Sequence, residues 1–328
     1  MKIIAYGYRD DEMPYLSTYQ KMEGVELEMK REHLTPETAS WANGADGVSI
    51  TGVCRADREV LKQLADGGVR FLSTRTVGYN QIDLEAAKTL GIRCANVTYS
   101  PYGVANYTVL LILAILRKFM HIMVRSGCMD YSLKDMQGKE LQNMTVGIIG
   151  MGRIGKAVAR CLSGFGCRII AFTPHPDEET RTLAEIMTMD ELYAQADIIT
   201  LHTPATPETY HLICKATLDK MKKGVYIINT ARGELINTGD LIDAVESGQV
   251  GGVAIDSFEH EQDIIHVDHE YNVIRNREML ILKAYPNVLV SPHAAFYTDQ
   301  ASSDMVRCSI EGLLSWGQGK ENPFELNV

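Results

Sequence analysis

Three polar side chains of complementary chemistry each follow a predicted strand: Arg232 after VYIINT, Glu261 just beyond VAIDSF and His293 after VLVSP. Open parallel sheets bind ligands at the carboxyl ends of their strands. Chemistry at a carbonyl needs a proton donor, a group that tunes the donor's pKa and a cation for any neighbouring carboxylate. Alone, Arg232 could be a surface ion-pair partner, Glu261 one acid among several, and His293 structural. Because they follow successive strands, the three residues together predict a site.

A glycine-rich turn predicts a second ligand. The segment TVGIIGMGRIGKAVA places Gly150, Gly152 and Gly155 in a GxGxxG pattern between an apolar strand and a helix. Gly150 permits a tight turn, Gly152 lets the backbone approach a pyrophosphate, and Gly155 allows the helix to pack closely on the strand. The pattern predicts a dinucleotide site, to which Arg153 and Ile154 of the same turn belong.

The end of the next predicted strand, CRIIAF, leaves the identity of the dinucleotide open. An acidic residue that binds the ribose hydroxyls of NAD is expected there, but the chain has Thr173, Pro174 and His175. Thr173 could donate to a 2′-phosphate and His175 could add positive charge, which would admit NADP. Alternatively, Asp177 or Glu178 takes the acidic position, or NAD binds without an acidic partner. Both NAD and NADP remain candidate cofactors.

Alternating apolar runs and helical stretches predict an α/β protein with mostly parallel sheets. In the first third, the predicted strands are Lys2–Tyr8, Val25–Met29, Gly47–Ile50, Arg70–Thr74 and Arg93–Ala95. Beyond residue 145, six more are predicted at Val146–Gly150, Arg168–Phe172, Ile198–Leu201, Val225–Asn229, Gly252–Ile255 and Val288–Ser291. The second series has the length and order of a complete nucleotide-binding domain.

Three helix predictions bear on how the chain is organised. Thr35, Pro36 and Glu37 resemble a helix start, because a capping residue precedes a proline at the first helical position. The segment from Ser100 to about His121 is the most apolar predicted helix and requires cover on more than one side. A last helix is predicted over 298–316.

The composition excludes several classes of protein. A chain of 328 residues, 45% hydrophobic and 23% charged, is expected to be globular with about two domains. Its net charge of −10 argues against binding nucleic acid. The longest apolar run is well short of the roughly 18 residues of a membrane span, and the first residues read as a strand rather than a signal peptide. A cytoplasmic protein with no membrane partner is expected.

Cysteine and histidine spacing predicts neither disulfides nor a metal site. The seven cysteines are scattered and never form a CxxC pair. The nine histidines show no HExxH pattern, and His266 and His269 lie in a charged segment without further obvious ligands. Reduced thiols and no bound metal are therefore expected.

Taken together, these motifs resemble the D-specific 2-hydroxyacid dehydrogenase family over essentially the whole chain. The resemblance rests on GMGRIG (150–155), NTARGELI (229–236), GGVAIDSFEHE (251–261) and SPHAAFYT (291–298). Within the family, STRTVGYNQID (73–83) and YSPYGVANYT (99–108) are most similar to D-lactate dehydrogenases, including those of vancomycin-resistance clusters.

The resemblance implies roles for individual residues. His293 would protonate the keto oxygen, Glu261 would hydrogen-bond its ring and raise its pKa, and Arg232 would hold the substrate carboxylate. Other implied substrate contacts are the backbone amides of Val77 and Gly78 and the side chains of Tyr99 and Tyr297. The implied cofactor contacts outside the glycine-rich turn are His202, Thr203, Pro204, Thr230, Ala231 and Asp256, the last facing the nicotinamide carboxamide. Thr173 and His175 are candidate cofactor contacts from their position after CRIIAF, where the chain departs from the acidic residue usual in the family.

The resemblance also implies a fold and an assembly. A Rossmann-type cofactor domain, residues 100–296, would be inserted into a flavodoxin-like substrate domain formed by residues 1–99 and 297–328. The apolar helix near 101–121 would pack against its copy in a homodimer. Burial of that helix between the two domains of one chain is the alternative.

The activity implied is the reversible, NAD(P)-dependent reduction of a 2-keto acid to the D-2-hydroxy acid, first of all pyruvate to D-lactate. A bulkier substrate, such as phenylpyruvate, 2-ketoisocaproate or 2-ketoglutarate, is the alternative within this class. The pocket would be sized by Tyr8, Val53, Tyr99 and Phe296 to Tyr297, and a diacid would want a second cation such as Arg9 or Arg55. The alternative from another class is a non-catalytic protein that senses NAD.

Overall fold

The computed structural model describes residues 1–326 and divides the chain into two compact units. Unit 1 comprises Met1–Ser100 and the chain from Tyr297 onward, and unit 2 comprises Pro101–Phe296. The predicted substrate domain extends to Asn327 and Val328, which lie outside the described residues.

Unit 1 contains a five-stranded parallel sheet in the order β2-β1-β3-β4-β5, the flavodoxin-like order. Every residue of β3 and β4 is buried, whereas β2 at the sheet edge alternates charged and apolar residues. Complete burial of the central strands is expected where helices cover both faces of a parallel sheet. The strands are β1 Lys2–Tyr6, β2 Glu26–Lys30, β3 Gly47–Ile50, β4 Phe71–Thr74 and β5 Arg93–Ala95.

Unit 2 contains a seven-stranded parallel sheet in the order β12-β11-β10-β9-β6-β7-β8. Strand order reverses beside β6, the first strand of the unit, as in dinucleotide-binding folds. The strands are β6 Thr145–Ile149, β7 Arg168–Phe172, β8 Glu185–Ile186, β9 Ile198–Leu201, β10 Val225–Asn229, β11 Val250–Ile255 and β12 Val288–Val290.

Helices connect the strands and supply the apolar faces that cover both sheets. Each unit has two clusters of buried apolar side chains. The helices are α1 Met13–Gln20, α2 Arg58–Asp66, α3 Leu84–Thr89, α4 Tyr102–Leu116, α5 Phe119–Gly127, α6 Arg153–Ser163, α7 Glu178–Leu183, α8 Met189–Gln195, α9 Lys215–Leu218, α10 Thr238–Glu246, α11 Arg277–Ala284 and α12 Asp299–Gly317, with 3-10 turns at Ala39–Ala42, Leu141–Asn143 and Gly233–Leu235.

The predicted fold class is confirmed, and each predicted strand corresponds to a strand of the structure. Sequence reasoning missed β8, whose two residues are too few for a period to be read. The helix predicted to start at Thr35 was wrong. The hydroxyl of Thr38 accepts the Thr35 N–H and donates to the His33 carbonyl, which closes a local turn before a short 3-10 helix.

The single helix predicted near 101–121 was also wrong, because the chain bends between α4 and α5. Lys118 adopts a left-handed conformation with φ of 49°, which interrupts the helical hydrogen bonds. The Leu116 carbonyl instead accepts the N–H of Lys139, 3.0 Å away, from a segment that crosses the end of α4. A Cβ on Gly138 would lie 2.7 Å from the Leu116 oxygen, so this crossing requires glycine.

Within residues 1–326, no single helix is long and apolar enough to cross a membrane. The bent pair α4 and α5 reaches that threshold only when the two helices are combined, with a 64° angle between them. Across the same residues, no group of three or more His, Cys, Asp or Glu side chains could hold a metal ion. All seven cysteines are free thiols.

Candidate active site

The glycine-rich turn connects β6 to α6 and leaves room for a diphosphate. Gly150 has φ of 97°, and a Cβ there would lie 2.5 Å from the His202 carbonyl oxygen. A Cβ on Gly155 would lie 2.0 Å from the Gly150 oxygen, so helix and turn touch directly. A Cβ on Gly152, the N-cap of α6, would meet open space instead. An open N-terminus that donates backbone N–H groups fits a dinucleotide pyrophosphate.

The end of β7 carries Thr173, which is half-buried, and His175, which is exposed. Asp177 caps α7 by accepting the Thr180 N–H at 2.8 Å, and it pairs with Lys156 of α6. Lys156 also lies 2.9 Å from Glu179, so two carboxylates neutralise this cation. These ion pairs, together with that of Glu179 with Arg160, connect α7 to α6.

The ends of β9 and β10 are organised by hydrogen bonds from buried side chains. Burial of the His202 ring lowers its pKa to about 3, so the ring is neutral, and its Nε2 lies 2.9 Å from the Thr200 hydroxyl. The Thr230 hydroxyl contacts that of Thr108 on α4, at 2.9 Å. The amide of the buried Asn229 accepts the Ala231 N–H and donates to the Arg232 carbonyl. Thr203 is half-buried and Pro204 is exposed in the turn after β9.

His293 and Glu261 form a hydrogen-bonded pair after β12 and β11. The His293 Nδ1 lies 2.6 Å from Glu261 Oε1, while Glu261 Oε2 accepts the Phe258 N–H at 3.0 Å. Glu261 is therefore held on both oxygens in a buried position, whereas a quarter of the His293 side chain is exposed. Because Nδ1 is engaged by the carboxylate, Nε2 is the ring nitrogen available to a substrate.

The turn that carries His293 is held by Asp256 at the end of β11. The Asp256 carboxylate is fully buried and accepts three hydrogen bonds, from the Ser291 hydroxyl at 2.5 Å and the N–H groups of Ala294 and Ala295 at 2.9 and 2.8 Å. His293 adopts φ of 54°, an unfavourable conformation for a residue with a Cβ. The three bonds to Asp256 span this residue and stabilise its conformation.

Arg232 lies on a loop that packs tightly against the loop of Glu261. Its Nη1 donates to the Ala231 carbonyl at 2.7 Å, and the side chain is half-buried. A Cβ on the next residue, Gly233, would lie 2.2 Å from the backbone carbonyl of Phe258 and 2.6 Å from the nitrogen of Glu259. The absence of a side chain at residue 233 therefore allows the two loops to touch.

The predicted substrate contacts Val77, Gly78, Tyr99 and Tyr297 belong to unit 1. The carbonyls of Val77 and Gly78 accept hydrogen bonds from Asn96 at 2.8 Å and from Thr76 at 2.6 Å, which fix the loop after β4. The Val77 side chain is exposed, Tyr99 is half-buried, and Tyr297 is exposed.

Sequence reasoning did not assign to the site two histidines that contact its loops. His266 Nε2 lies 3.1 Å from the His293 carbonyl oxygen, and its ring meets those of His293 and Phe296 edge to face. His211 Nε2 lies 2.8 Å from Glu259, two residues before Glu261. The segment Glu259, His260, Glu261 carried a signal for His211, because two acids separated by one residue on an irregular loop can bind different partners.

The chain matches the family model described as "D-isomer specific 2-hydroxyacid dehydrogenase, NAD binding domain" over residues 109–295. It is 41% identical to an aromatic 2-oxoacid reductase of Clostridium sporogenes, over 95% of each chain. It is 40% identical to a D-lactate dehydrogenase of Lactiplantibacillus plantarum, over 94% of each chain. Among solved structures, a D-lactate dehydrogenase from Treponema pallidum matches over 100% of both chains, with 32% identity and a TM-score of 0.92.

The protein belongs to the D-isomer specific 2-hydroxyacid dehydrogenase family. It is therefore an oxidoreductase with an NAD-binding domain, and the predicted class of enzyme is confirmed. The glycine-rich turn of unit 2 provides a geometry that fits the dinucleotide. The alternative of a non-catalytic sensor is not supported by these relatives.

Proposed function

We propose that the enzyme reduces a monocarboxylic 2-keto acid to the D-2-hydroxy acid with NADH, and that pyruvate, giving D-lactate, is the leading substrate. The pairing of His293 with the buried Glu261 carries the proposal. This pair combines a partly exposed imidazole with a fixed carboxylate, an arrangement that suits a proton donor at a carbonyl.

In this proposal, His293 and Arg232 do the work at the keto acid. Bound cofactor supplies the hydride to the carbonyl carbon. His293 donates the proton from Nε2 to the carbonyl oxygen, and Glu261 stabilises the protonated ring before transfer. Arg232 binds the carboxylate, and its five N–H donors leave several for this purpose beside the bond to Ala231. In the reverse direction, His293 accepts the hydroxyl proton.

The remaining site residues are proposed from the resemblance together with their positions. In unit 1, the N–H groups of Val77 and Gly78 and the side chains of Tyr99 and Tyr297 are proposed substrate contacts. Proposed cofactor contacts in unit 2 are Gly150, Gly152, Arg153, Ile154, Gly155, Thr173, His175, His202, Thr203, Pro204, Thr230, Ala231 and Asp256. For Asp256, the three bonds to the His293 turn support a positioning role alongside any contact with the nicotinamide.

A dicarboxylic substrate is disfavoured by the pairing of both candidate cations. Arg9 lies 2.9 Å from Asp11 and 3.5 Å from Glu12. Arg55 lies 2.5 Å from Asp57. A second substrate carboxylate would have to compete with these internal acids, so 2-ketoglutarate is expected to be a poor substrate.

A bulky monocarboxylic keto acid is the second candidate. The 41% identity to an aromatic 2-oxoacid reductase favours this reading. Val53 after β3 has a short apolar side chain that is half exposed. Phenylpyruvate and 2-ketoisocaproate are therefore compared directly with pyruvate in the assay below.

NADH is the proposed cofactor in preference to NADPH. A 2′-phosphate would need a cation near the end of β7. Lys156 and Arg160 approach this end from α6, but both pair with the carboxylates of Asp177 and Glu179. The other candidate groups after β7 are the hydroxyl of Thr173 and the exposed ring of His175. We expect kcat/KM for NADH to exceed that for NADPH, and Thr173→Asp to widen the ratio.

A homodimer through α4 and α5 is also proposed. None of the residues of α5 is buried. Four of them have large apolar side chains that are each about half exposed or more: Phe119, Met120, Met123 and Val124. Such a contiguous apolar surface is typical of an interface. Sedimentation should give a dimer for the wild type and a monomer for Val124→Asp.

The free cysteines support a cytoplasmic location, which fractionation of the source cells would test.

The first test is oxidation of NADH and NADPH with pyruvate, phenylpyruvate, 2-ketoisocaproate and 2-ketoglutarate. We expect pyruvate to give the highest kcat/KM. His293→Gln should abolish turnover and leave the affinity for NADH unchanged, because the residue acts at the proton. Unchanged turnover in that variant would refute the assignment of the proton donor. A higher kcat/KM for an aromatic or branched keto acid would replace pyruvate as the proposed substrate but leave the proposed site residues unchanged.

A further inference from the structure

A second histidine–carboxylate pair involves the loop of Glu261, and its hydrogen-bond partners do not include His293. Glu259 Oε1 lies 2.8 Å from His211 Nε2. Glu259 Oε2 accepts two hydrogen bonds from Thr238, from the N–H at 2.8 Å and the hydroxyl at 2.6 Å. Only about a tenth of the Glu259 side chain is exposed. Three donors therefore converge on one buried carboxylate at the start of α10.

The protonation pattern of this pair follows from its neighbour Asn237. The Asn237 Oδ1 accepts the N–H of Asp240 as the cap of α10, so the Nδ2 of Asn237 is the atom that faces His211. That Nδ2 lies 3.2 Å from His211 Nδ1, which must accept. The proton of a neutral His211 ring is then on Nε2, where it donates to Glu259. Each donor from Asp240 through Asn237 and His211 to Glu259 therefore meets an acceptor.

Glu259 also connects the loops of the two main site residues. Its backbone nitrogen lies against Gly233, at 2.6 Å from the position of a Cβ there, and Gly233 follows Arg232. Its carbonyl accepts the Asn276 amide N–H at 2.8 Å, and Asn276 caps α11. Glu261, two residues further on, holds the ring of His293. A displacement of Glu259 would therefore move Arg232 and the His293 pair together.

We propose that Glu259 and His211 form a positioning pair that sets the geometry of Arg232 relative to Glu261 and His293. This inference rests on the proposed function, since it concerns the residues assigned there. In this role the pair acts through Arg232 and Glu261 and not by its own contact with substrate. Burial raises the pKa of the Glu259 carboxyl, but the hydrogen bonds from Thr238 and His211 outweigh burial and keep that pKa below its usual value. Glu259 is accordingly an anion at neutral pH.

Glu259→Gln is the disrupting variant. An amide offers one acceptor and one donor where three donors converge, so its NH₂ group must face a donor of either His211 or Thr238. His211 cannot relieve the conflict by moving its proton to Nδ1, because the amide of Asn237 is held in place by Asp240. The loop is expected to shift, and a misplacement of about 1 Å can cost roughly 100-fold in rate.

His211→Gln and His211→Leu form the matched pair of variants. The Gln side chain can donate its NH₂ to Glu259 and accept from Asn237, as the neutral imidazole does. Leu can do neither. Both replacements remove the ring and its stacking on Tyr210, where the centroids lie 3.9 Å apart, so that loss is common to the two variants.

The readout is a single turnover of NADH with pyruvate in a stopped-flow instrument, with enzyme counted by NADH binding sites. Glu259→Gln should lower the rate constant by roughly 10- to 100-fold while the amplitude per site stays the same. His211→Leu should lower it by about 10-fold, and His211→Gln should stay within about 2-fold of the wild type. A merely structural role would reduce the number of sites and leave the rate constant unchanged.

Several outcomes would overturn the inference. A wild-type rate constant in Glu259→Gln, or equal losses in the Gln and Leu variants of His211, would show that the hydrogen-bond pattern does not position the site. Wild-type enzyme and His293→Gln are run alongside. Failure of the wild type with every keto acid would refute the proposed function itself, whereas a wild type that turns over beside a fully active Glu259→Gln would refute only the positioning role.

Discussion

The carboxyl-end loops of the two sheets use charge in opposite ways. In unit 1, Arg75 and Glu12 are both fully buried and pair at 3.0 Å, with Ser49 and the Tyr6 carbonyl as further partners of the guanidinium. In unit 2, the buried carboxylates of Asp256 and Glu261 hold His293, whose ring is part exposed. Unit 1 pairs its buried charges with each other, whereas unit 2 uses buried carboxylates to hold the partly exposed imidazole that we propose as the proton donor.

The difference shows that topology alone does not place chemistry. Both units are parallel α/β sheets in which the strand ends could present functional groups. In unit 1, Arg75, which follows β4, is fully buried and paired with Glu12. In unit 2, Arg232, which follows β10, is only half-buried. The substitutions below test whether that division holds.

The largest effect is expected from Glu12→Gln, which leaves the Arg75 charge buried without its counter-ion. Removing one partner of a buried ion pair costs about 3–5 kcal/mol. Both tryptophans, Trp41 and Trp316, lie in unit 1, so their fluorescence during urea unfolding reports on this unit. The matched control is Asp10→Asn, which removes the exposed partner of Arg31 and should cost less than about 1 kcal/mol. Equal losses would contradict the contrast.

Arg232→Gln should affect activity rather than stability. A charge-assisted hydrogen bond is worth about 1.5–3 kcal/mol, which corresponds to roughly 10- to 150-fold in kcat/KM for the keto acid. The affinity for NADH and the urea midpoint should stay close to the wild type. A loss confined to stability would mean that Arg232, like Arg75, serves the fold.

Asp256→Asn should weaken the support of His293. All three groups that contact this carboxylate are donors, so an amide NH₂ must oppose at least one of them. We expect kcat/KM to fall by roughly 10- to 100-fold, equivalent to about 1–3 kcal/mol. Asp243→Asn, at an exposed carboxylate on α10, serves as the control and should change little. If the two variants have the same kcat/KM, the three hydrogen bonds from the His293 turn to Asp256 are not needed for activity.

The smallest effects concern pH, and they have opposite signs in the two units. Burial lowers the pKa of His202 in unit 2 from 6.5 to about 3, so its contribution to stability is present above pH 6.5 and is lost as the pH falls below that value. In unit 1, the contact with Cys54 raises the pKa of His33 above 6.5, so its contribution is present below pH 6.5 and is lost at higher pH.

Calorimetric unfolding between pH 5 and 8 measures both contributions. His202→Asn should flatten the decline of stability on the acid side, and His33→Asn should flatten the decline on the alkaline side. The same direction of change in both variants would show that the two histidines do not differ as the structure indicates.

Much of the fold follows from local pattern. The strands were predictable because parallel strands buried on both faces are short apolar runs, such as VYIIN and IITL. The GxGxxG turn was predictable because a Cβ at Gly150 or Gly155 would collide with the backbone, so only glycine fits at these two positions. The bend at Lys118 was not, because it depends on a carbonyl of α4 bonding to Lys139, which lies 23 residues beyond Leu116.

The candidate site divides in the same way. His293, Glu261 and Arg232 were predictable from residue type and position after strands, although their roles remain proposals. The pair of Glu259 with His211 was not, because these residues are 48 positions apart in the chain. Nor was the satisfaction of Asp256 by the His293 turn, which required β11 and β12 to be neighbours in the sheet.

The amino-acid sequence by itself determined the class of fold, the dinucleotide turn and the family, because these depend on short-range periodicity and on glycines whose role is steric. Only the tertiary structure decided which charges are available for chemistry. Glu259 and Glu261 are two residues apart with the same side chain, yet one carboxylate faces His211 and the other His293. That choice is made by the donors that long-range packing brings to each carboxylate, since a buried charge must be paired wherever the fold provides a partner.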